Sequence, residues 1–238
     1  MEDIILVILC AFISGITIFL GGIVAYFFER KVQKGILKAQ IVHTSIAFGG
    51  GILIAAVSLV LVPQGMSILP VTPMALLFLS GAVSFYFLDR YLEQKGGAVS
   101  QVMAMLLDYI PESIALGAVF SAERKLGFLL ALYIGIQNLP ESFNAFLEMR
   151  SGGHSSRLRL ILFFFLSLVG IAASVTGYYL LSDKPDTTAA LMLFSGGGII
   201  YLIFQDIAPM SKLDKNWLPA LGASLGFLFG MIGFKIMG

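Results

Sequence analysis

The chain has 238 residues, 58% of them hydrophobic and 12% charged, and its mean hydropathy of +0.94 is far above that of a water-soluble domain of this size. Fifteen basic against 14 acidic residues leave a net charge of +1, which provides no basic field for nucleic acid. A single cysteine, Cys10, excludes a disulfide framework and a cysteine-based zinc or redox motif, and two histidines cannot build a multi-histidine metal site.

Crossing the hydrocarbon core takes about 20 apolar residues in a helix, and eight such runs are bounded by charge clusters. They cover residues 4–28, 41–62, 71–88, 99–120, 126–147, 160–181, 188–209 and 217–234. The first follows Met1, Glu2 and Asp3 rather than a basic leader and is read as a retained span. The runs are continuous and longer than the alternating segments of a β-barrel, so the expected fold is all-α and polytopic. The connections are short enough that residues 1–238 form one transmembrane domain with no soluble domain.

Basic residues orient these spans. The odd connections hold Arg30, Lys31, Lys34, Lys38, Arg90, Lys95, Arg150, Arg157, Arg159, Lys212 and Lys215. The even connections and the termini hold only Arg124, Lys125, Lys184 and Lys235. This asymmetry places the odd connections in the cytoplasm and both termini outside.

Two internal echoes stand out. Pro111-Glu112-Ser113 in the fourth span recurs as Pro140-Glu141-Ser142 in the fifth. The second span carries Phe48-Gly-Gly-Gly and ends at Pro63, and the seventh carries Phe194-Ser-Gly-Gly-Gly and ends at Pro209. Spans two and seven cross in opposite directions, which points to inverted repeats flanking helices four and five, an arrangement common in transporters. Close helix packing alone is the competing reading of the glycines.

Four ionisable residues fall inside the spans, Asp108, Glu112, Glu141 and Asp206, and all are acidic. A charged side chain at a span centre costs roughly 2.5–3.5 kcal/mol even on the insertion scale, so something must neutralise them. Protonation does so for a lone carboxyl; a bound cation does so for converging ones. Asp108 and Glu112 are four apart, as are Gln137 and Glu141, so each helix stacks two oxygen ligands on one face. Packed as antiparallel neighbours, the two helices are expected to enclose one ion with these four side chains. Pro111 and Pro140 free the carbonyls of Leu107 and Ile136 beside the ligands. Tyr133, Gln137, Glu141, Asn144 and Glu148 continue one polar face along the fifth helix. Glu148 and Asn144, with Asp206, His43 and Gln101, are candidates for a cytoplasmic exit route, and Gln64 for the entrance.

These residues resemble the ZIP family of divalent metal-ion transporters, whose fourth and fifth helices each carry a His-Asn-x-Pro-Glu-Gly motif. The corresponding positions here read Asp108-Tyr109-Ile110-Pro111-Glu112-Ser113 and Gln137-Asn138-Leu139-Pro140-Glu141-Ser142. The resemblance implies a 3+2+3 inverted-repeat architecture and a transport domain sliding against a scaffold. It implies a homodimer in the lipid bilayer of the cell membrane, and import of a divalent metal by alternating access. Zinc is the first candidate, with Mn2+, Fe2+ and Cd2+ as others; the metal is cargo, not a cofactor, and the protein is not an enzyme. The chain departs from the pattern at Asp108, where histidine is usual, and at Tyr109, where asparagine is usual. The sixth span has no acid to complete a second metal site, to which Asn138 would contribute, so one strong site is expected. Three carboxylates and an amide also form a harder site, which softens the preference for zinc. The rival readings are a proton-coupled carrier of an organic substrate and an intramembrane aspartyl protease using Asp108 and Asp206.

Overall fold

A computed structural model describes residues 2–32, 35–95, 97–120, 122–150, 153 and 155–237. They form eight helices and no strand: α1 Glu2–Lys31, α2 Ile36–Ile68, α3 Val71–Lys95, α4 Gly97–Phe120, α5 Arg124–Glu148, α6 Ser156–Leu181, α7 Pro185–Ser211 and α8 Leu218–Met237. Local chemistry starts several of them. The Ser155 hydroxyl accepts from the Leu158 N–H at 3.3 Å to cap α6, Pro185 opens α7, and Asn216 accepts from the Leu218 N–H at the head of α8.

Among the described helices, six are long and apolar enough to cross a membrane by length and composition, fewer than the eight apolar runs. The other two are α4 and α5. Their polar residues are covered by neighbouring helices rather than by lipid, so a lower hydropathy suffices there: Glu112 and Gln137 are each 1% exposed and Asn138 is 0%. Several helices also outlast their apolar runs. α3 continues past residue 88 to Lys95, and α6 begins at Ser156 rather than 160.

The helices sort into two bundles. In one, α1 and α4 both lie along α5 and α6; in the other, α8 lies along α2, α3 lies along α7, and α2 meets α7. The bundles meet through α2 on α5 and α4 on α7, with smaller contacts of α8 on α5 and α3 on α4. Exchanging α1 with α6, α2 with α7, α3 with α8 and α4 with α5 maps this neighbour set onto itself. The inverted repeat expected from the glycine motifs is therefore present in the packing.

It is present in the contacts as well. A methyl group on Gly226 of α8 would collide with the Phe48 carbonyl, and one on Gly81 of α3 with the Phe194 carbonyl. Three residues along, Gly51 faces the Ala223 carbonyl and Gly197 faces the Phe78 carbonyl in the same way. These glycines allow backbone-on-backbone approach, the device by which membrane helices gain packing energy without a hydrophobic effect between them.

The two long helices break at matching places. α2 contains a π-helical turn, Val57–Leu61, closed by the Val62 N–H on the Val57 carbonyl. α7 contains another, Ile203–Ile207, closed by the Ala208 N–H on the Ile203 carbonyl. Each ends two residues before a proline, Pro63 or Pro209, whose ring would clash with the carbonyl four residues back in an unbroken α-helix. The extra residue of the π-turn relieves that clash, and such turns often mark functional positions.

Candidate metal centre

The α5 helix carries the densest set of polar side chains. Gln137 lies thirteen residues from Arg124 at one end and eleven from Glu148 at the other, so it sits about 20 Å and 16 Å from the two ends, near the middle of the helix. α4 runs beside it and brings in Asp108, 3% exposed, and Glu112. Both helices continue as α-helix through Pro111 and Pro140.

The first contact between the two motifs is a hydrogen bond: the Gln137 amide Nε2 donates to Glu112 Oε2 at 2.5 Å. The Asp108 carboxylate accepts from the Tyr109 N–H at 2.8 Å. After these bonds are made, Glu112 Oε1, Gln137 Oε1 and Glu141 Oε2 remain buried without a hydrogen-bond partner. Buried polar oxygens are normally satisfied. All three are acceptors, so the group they lack is a donor or a cation. The ion pairs among the described residues, Arg124 with Asp3 and Arg150 and Arg159 with Glu29, lie at helix ends, and none reaches these acids.

The four expected ligands do not close into a finished cage. Among the described residues, no three acidic, histidine or cysteine side chains come close enough together to hold a metal. Asp108, Gln137 and Glu141 open onto one cavity of about 230 Å³, whereas Glu112 stands behind Gln137 and reaches the group through it. Asn138 points elsewhere: its Nδ2 donates to the Ser14 carbonyl of α1 at 3.4 Å, leaving its Oδ1 buried and unpartnered. Tyr109 does the mirror-related job on α4, its hydroxyl donating to the Ser167 carbonyl of α6 at 3.5 Å. Both second positions of the paired motif thus tie an inner helix to an outer one.

The same cavity reaches beyond the ligands. Its wall includes Asn144 of α5, Asp206 in the π-turn of α7, and two residues of α3, Asp89 and Glu93. Neither α3 acid was anticipated, because the apolar run ends at residue 88. Their four-residue spacing was nonetheless visible and puts both on one face once α3 is known to continue. Asp89 is fixed by the Tyr201 hydroxyl of α7, which donates to its Oδ2 at 2.9 Å.

A second cavity, of about 390 Å³, shares Ile46, Asn144 and Met210 with the first and is lined further on by His43, Glu148, Glu29, Lys38 and Arg150. There the Asn144 amide donates to Glu148 Oε1 at 2.9 Å. His43 Nδ1 lies 2.8 Å from the Met210 carbonyl, which can only accept, so Nδ1 carries the proton and Nε2 is left for another partner. Asn144, Glu148, His43 and Asp206 are therefore brought to two adjoining cavities that lead from the paired motif toward the basic helix ends. Gln64 does not line either one. The Gln101 side chain lies outside the described residues, as does Lys34. Tyr133 leaves the polar face altogether, its hydroxyl donating to the Gly230 carbonyl of α8 at 2.8 Å.

One basic residue is more buried than its place next to the 160–181 run suggests. Arg159 is 2% exposed, in the first turn of α6. Its guanidinium donates to the Phe146 carbonyl at 2.6 Å and to Glu29 Oε2 at 3.2 Å, and stacks over the Phe146 ring. It ties α1, α5 and α6 together at their basic ends.

Two bundles around a pair of proline-containing, acid-bearing helices define a polytopic helical membrane protein of the kind built from paired repeats. Residues 91–238 match the model of the ZIP zinc transporter family, more than half of the chain, and the protein belongs to that family. Among curated proteins, the zinc transporter GufA of Myxococcus xanthus is 32% identical over 111 residues, which cover 46% of this chain and 44% of that protein. The match therefore spans under half the length of the relative.

Proposed function

We propose that the chain carries a divalent metal ion, zinc first, from the outer face of the membrane to the cytoplasm through a site formed by Asp108, Glu112, Gln137 and Glu141. The observation that carries this reading is the set of buried acceptor oxygens left unpartnered on Glu112, Gln137 and Glu141, beside Asp108 and without a basic counterpart. A divalent cation supplies what those oxygens lack. Family membership and the name of the GufA relative favour zinc as cargo. The donor set is all oxygen, which zinc accepts and which manganese and iron accept as readily.

Alternating access follows from how the two bundles are joined. Within each bundle, glycines bring backbones into direct contact, as at Gly226 with Phe48, Gly197 with Phe78 and Gly117 with Ser174. Between the bundles, the corresponding contact is Gly49 of α2 against the Pro140 ring of α5, a smooth side-chain surface at 3.1 Å from the position of an added methyl group. Each bundle is locked internally, whereas the boundary is made mainly by side chains, with the Tyr133 hydroxyl of α5 on the Gly230 carbonyl of α8 as a hydrogen bond that has to shift with it. The bundle of α1, α4, α5 and α6 carries the ligands and moves; α2, α3, α7 and α8 form the scaffold and contribute Asp89, Glu93, Asp206 and His43 to the exit. Both cavities lead to the helix ends that the basic residues assign to the cytoplasm, with the termini outside. The homodimer and the cell membrane as location remain part of the proposal on the family resemblance.

The test is metal binding and uptake in proteoliposomes. Replacing Glu112 or Glu141 by Gln keeps the shape and removes the charge. Loss of even outer-shell partners costs roughly 10–100-fold in metal affinity, so each of these changes is expected to weaken zinc binding by about 100-fold or more. If the purified protein binds no divalent ion at micromolar concentration, or if both variants bind as wild type does, the site reading fails. Uptake of an organic solute without metal would favour the proton-coupled carrier instead.

A further inference from the structure

A third cavity, larger than the two polar ones, meets the acidic cavity at Pro140. It is an apolar groove of about 890 Å³ between α1 and α5 of one bundle and α2 and α8 of the other. Ile13, Phe28, Leu37, Phe48, Ile136 and Leu139 line it. Ile13, Leu37 and Leu139 are 64%, 61% and 39% exposed, so its open side faces the hydrocarbon. Along α1 it extends from Ile13 to Phe28, about 22 Å at 1.5 Å per residue, against roughly 15 Å for one leaflet of the hydrocarbon core. A groove of that length runs from one membrane surface to just past the midplane, the reach of one acyl chain.

Its end at the membrane surface is basic. Phe28 and Leu37 line the groove, and Arg30, Lys31 and Lys38 lie next to them in the chain. Arg30 sits 4.2 Å over the Tyr26 ring, Lys31 6.0 Å over Phe27 and Lys38 5.7 Å over Phe28. Among the ion pairs of the described residues, none uses these three cations. An apolar slot one leaflet long, ending in cations without carboxylate partners, fits an amphiphile with a chain and an anionic head.

We propose that this groove seats an anionic phospholipid, one acyl chain lying between α1/α5 and α2/α8 and the phosphate resting on Lys31 and Lys38. The seat matters because Pro140 lines both this groove and the acidic cavity. The chain lies on one side of the proline ring and the ion path on the other, at the boundary between the two bundles. The proposal does not depend on the identity of the transported ion.

The experiment uses the full-length purified protein, stripped of lipid and offered equal amounts of phosphatidylglycerol and phosphatidylcholine of the same chain length. Retention is read by native mass spectrometry. Wild type is expected to keep one phosphatidylglycerol in preference to phosphatidylcholine. A cation near the membrane surface is worth roughly 5-fold in affinity for anionic lipid, so Lys31→Gln and Lys38→Gln together are expected to cut that preference about 25-fold. Ala131→Phe with Ser45→Phe fills the groove and is expected to release the phosphatidylglycerol. Glycerol phosphate, a head without a chain, is expected not to compete. Equal retention of the two lipids by wild type, unchanged retention in the filled variant, or displacement by glycerol phosphate at lipid-like concentration would each overturn the proposal. The double variant alters residues at helix ends only and reads the headgroup contact even where the filled variant does not fold.

Discussion

Asp108 is where this chain's chemistry separates from the motif it otherwise resembles. It replaces a neutral nitrogen donor by a charged oxygen donor, and it lies in the wall of the cavity rather than behind another ligand. An all-oxygen site discriminates poorly among zinc, manganese and iron, because softness and imidazole affinity are what single out zinc from its neighbours. Asp108→His restores one nitrogen donor at the same position. Competition uptake of zinc, manganese and cadmium into proteoliposomes is expected to shift toward zinc and cadmium by about 10-fold, one ligand exchange being worth that order. An unchanged order of uptake would mean that Asp108 does not touch the ion. That Gln137 and Glu141 share one face was legible from sequence, because a four-residue spacing on a helix stacks them one turn apart. The Gln137 to Glu112 hydrogen bond was not, since it depends on the rotation of α4 against α5. Asp89 and Glu93 are not legible as cavity residues in the sequence, because the apolar run ends at residue 88 while the helix continues to Lys95.

Helix packing gives one residue type two different jobs. Gly226 and Gly49 both lie in close contacts, but the first faces the Phe48 carbonyl within the scaffold and the second faces the Pro140 ring across the boundary. Backbone cannot move aside for a side chain, so Gly226→Leu must separate α8 from α2. It is expected to destabilise the protein by more than the 1–3 kcal/mol usual for overpacking, seen as lost expression or a lower melting temperature in detergent. Gly49→Leu presses on a side-chain ring rather than on backbone, and Gly49 also lines the acidic cavity. It is expected to keep the fold while slowing uptake about 10-fold or more by blocking the slide. Equal transport by wild type and Gly49→Leu would remove the moving-bundle reading and leave the binding site intact. The glycine motifs of α2 and α7 announced the repeat in the sequence. The π-turns they lead into did not show there, because a proline in a membrane helix is met by a kink, a water or an extra residue with equal ease.

For the whole molecule, the proposed direction of transport rests on two asymmetries that point the same way. Basic residues gather at the odd connections, and the two polar cavities lead from the paired motif to those same helix ends, through Asp89, Glu93 and Asn144 to His43 and Glu148. The charge asymmetry was plain in the sequence, whereas the continuity of the cavities needed the helices in place. On the proposed orientation, the conformation described is the one that delivers to the cytoplasm. Cys10 is the chain's sole cysteine, so a Cys10→Ser background carries no native thiol, and single cysteines report their own exposure. In right-side-out vesicles, a membrane-impermeant thiol reagent is expected to label Lys125→Cys at the head of α5 and to spare Glu93→Cys until the vesicles are opened. Loading with zinc is expected to slow labelling of Glu93→Cys, since an ion leaving Asp108 and Glu141 passes that wall. Labelling of Glu93→Cys from outside, as fast as Lys125→Cys, would reverse the orientation and turn the proposed importer into an exporter built on the same two helices.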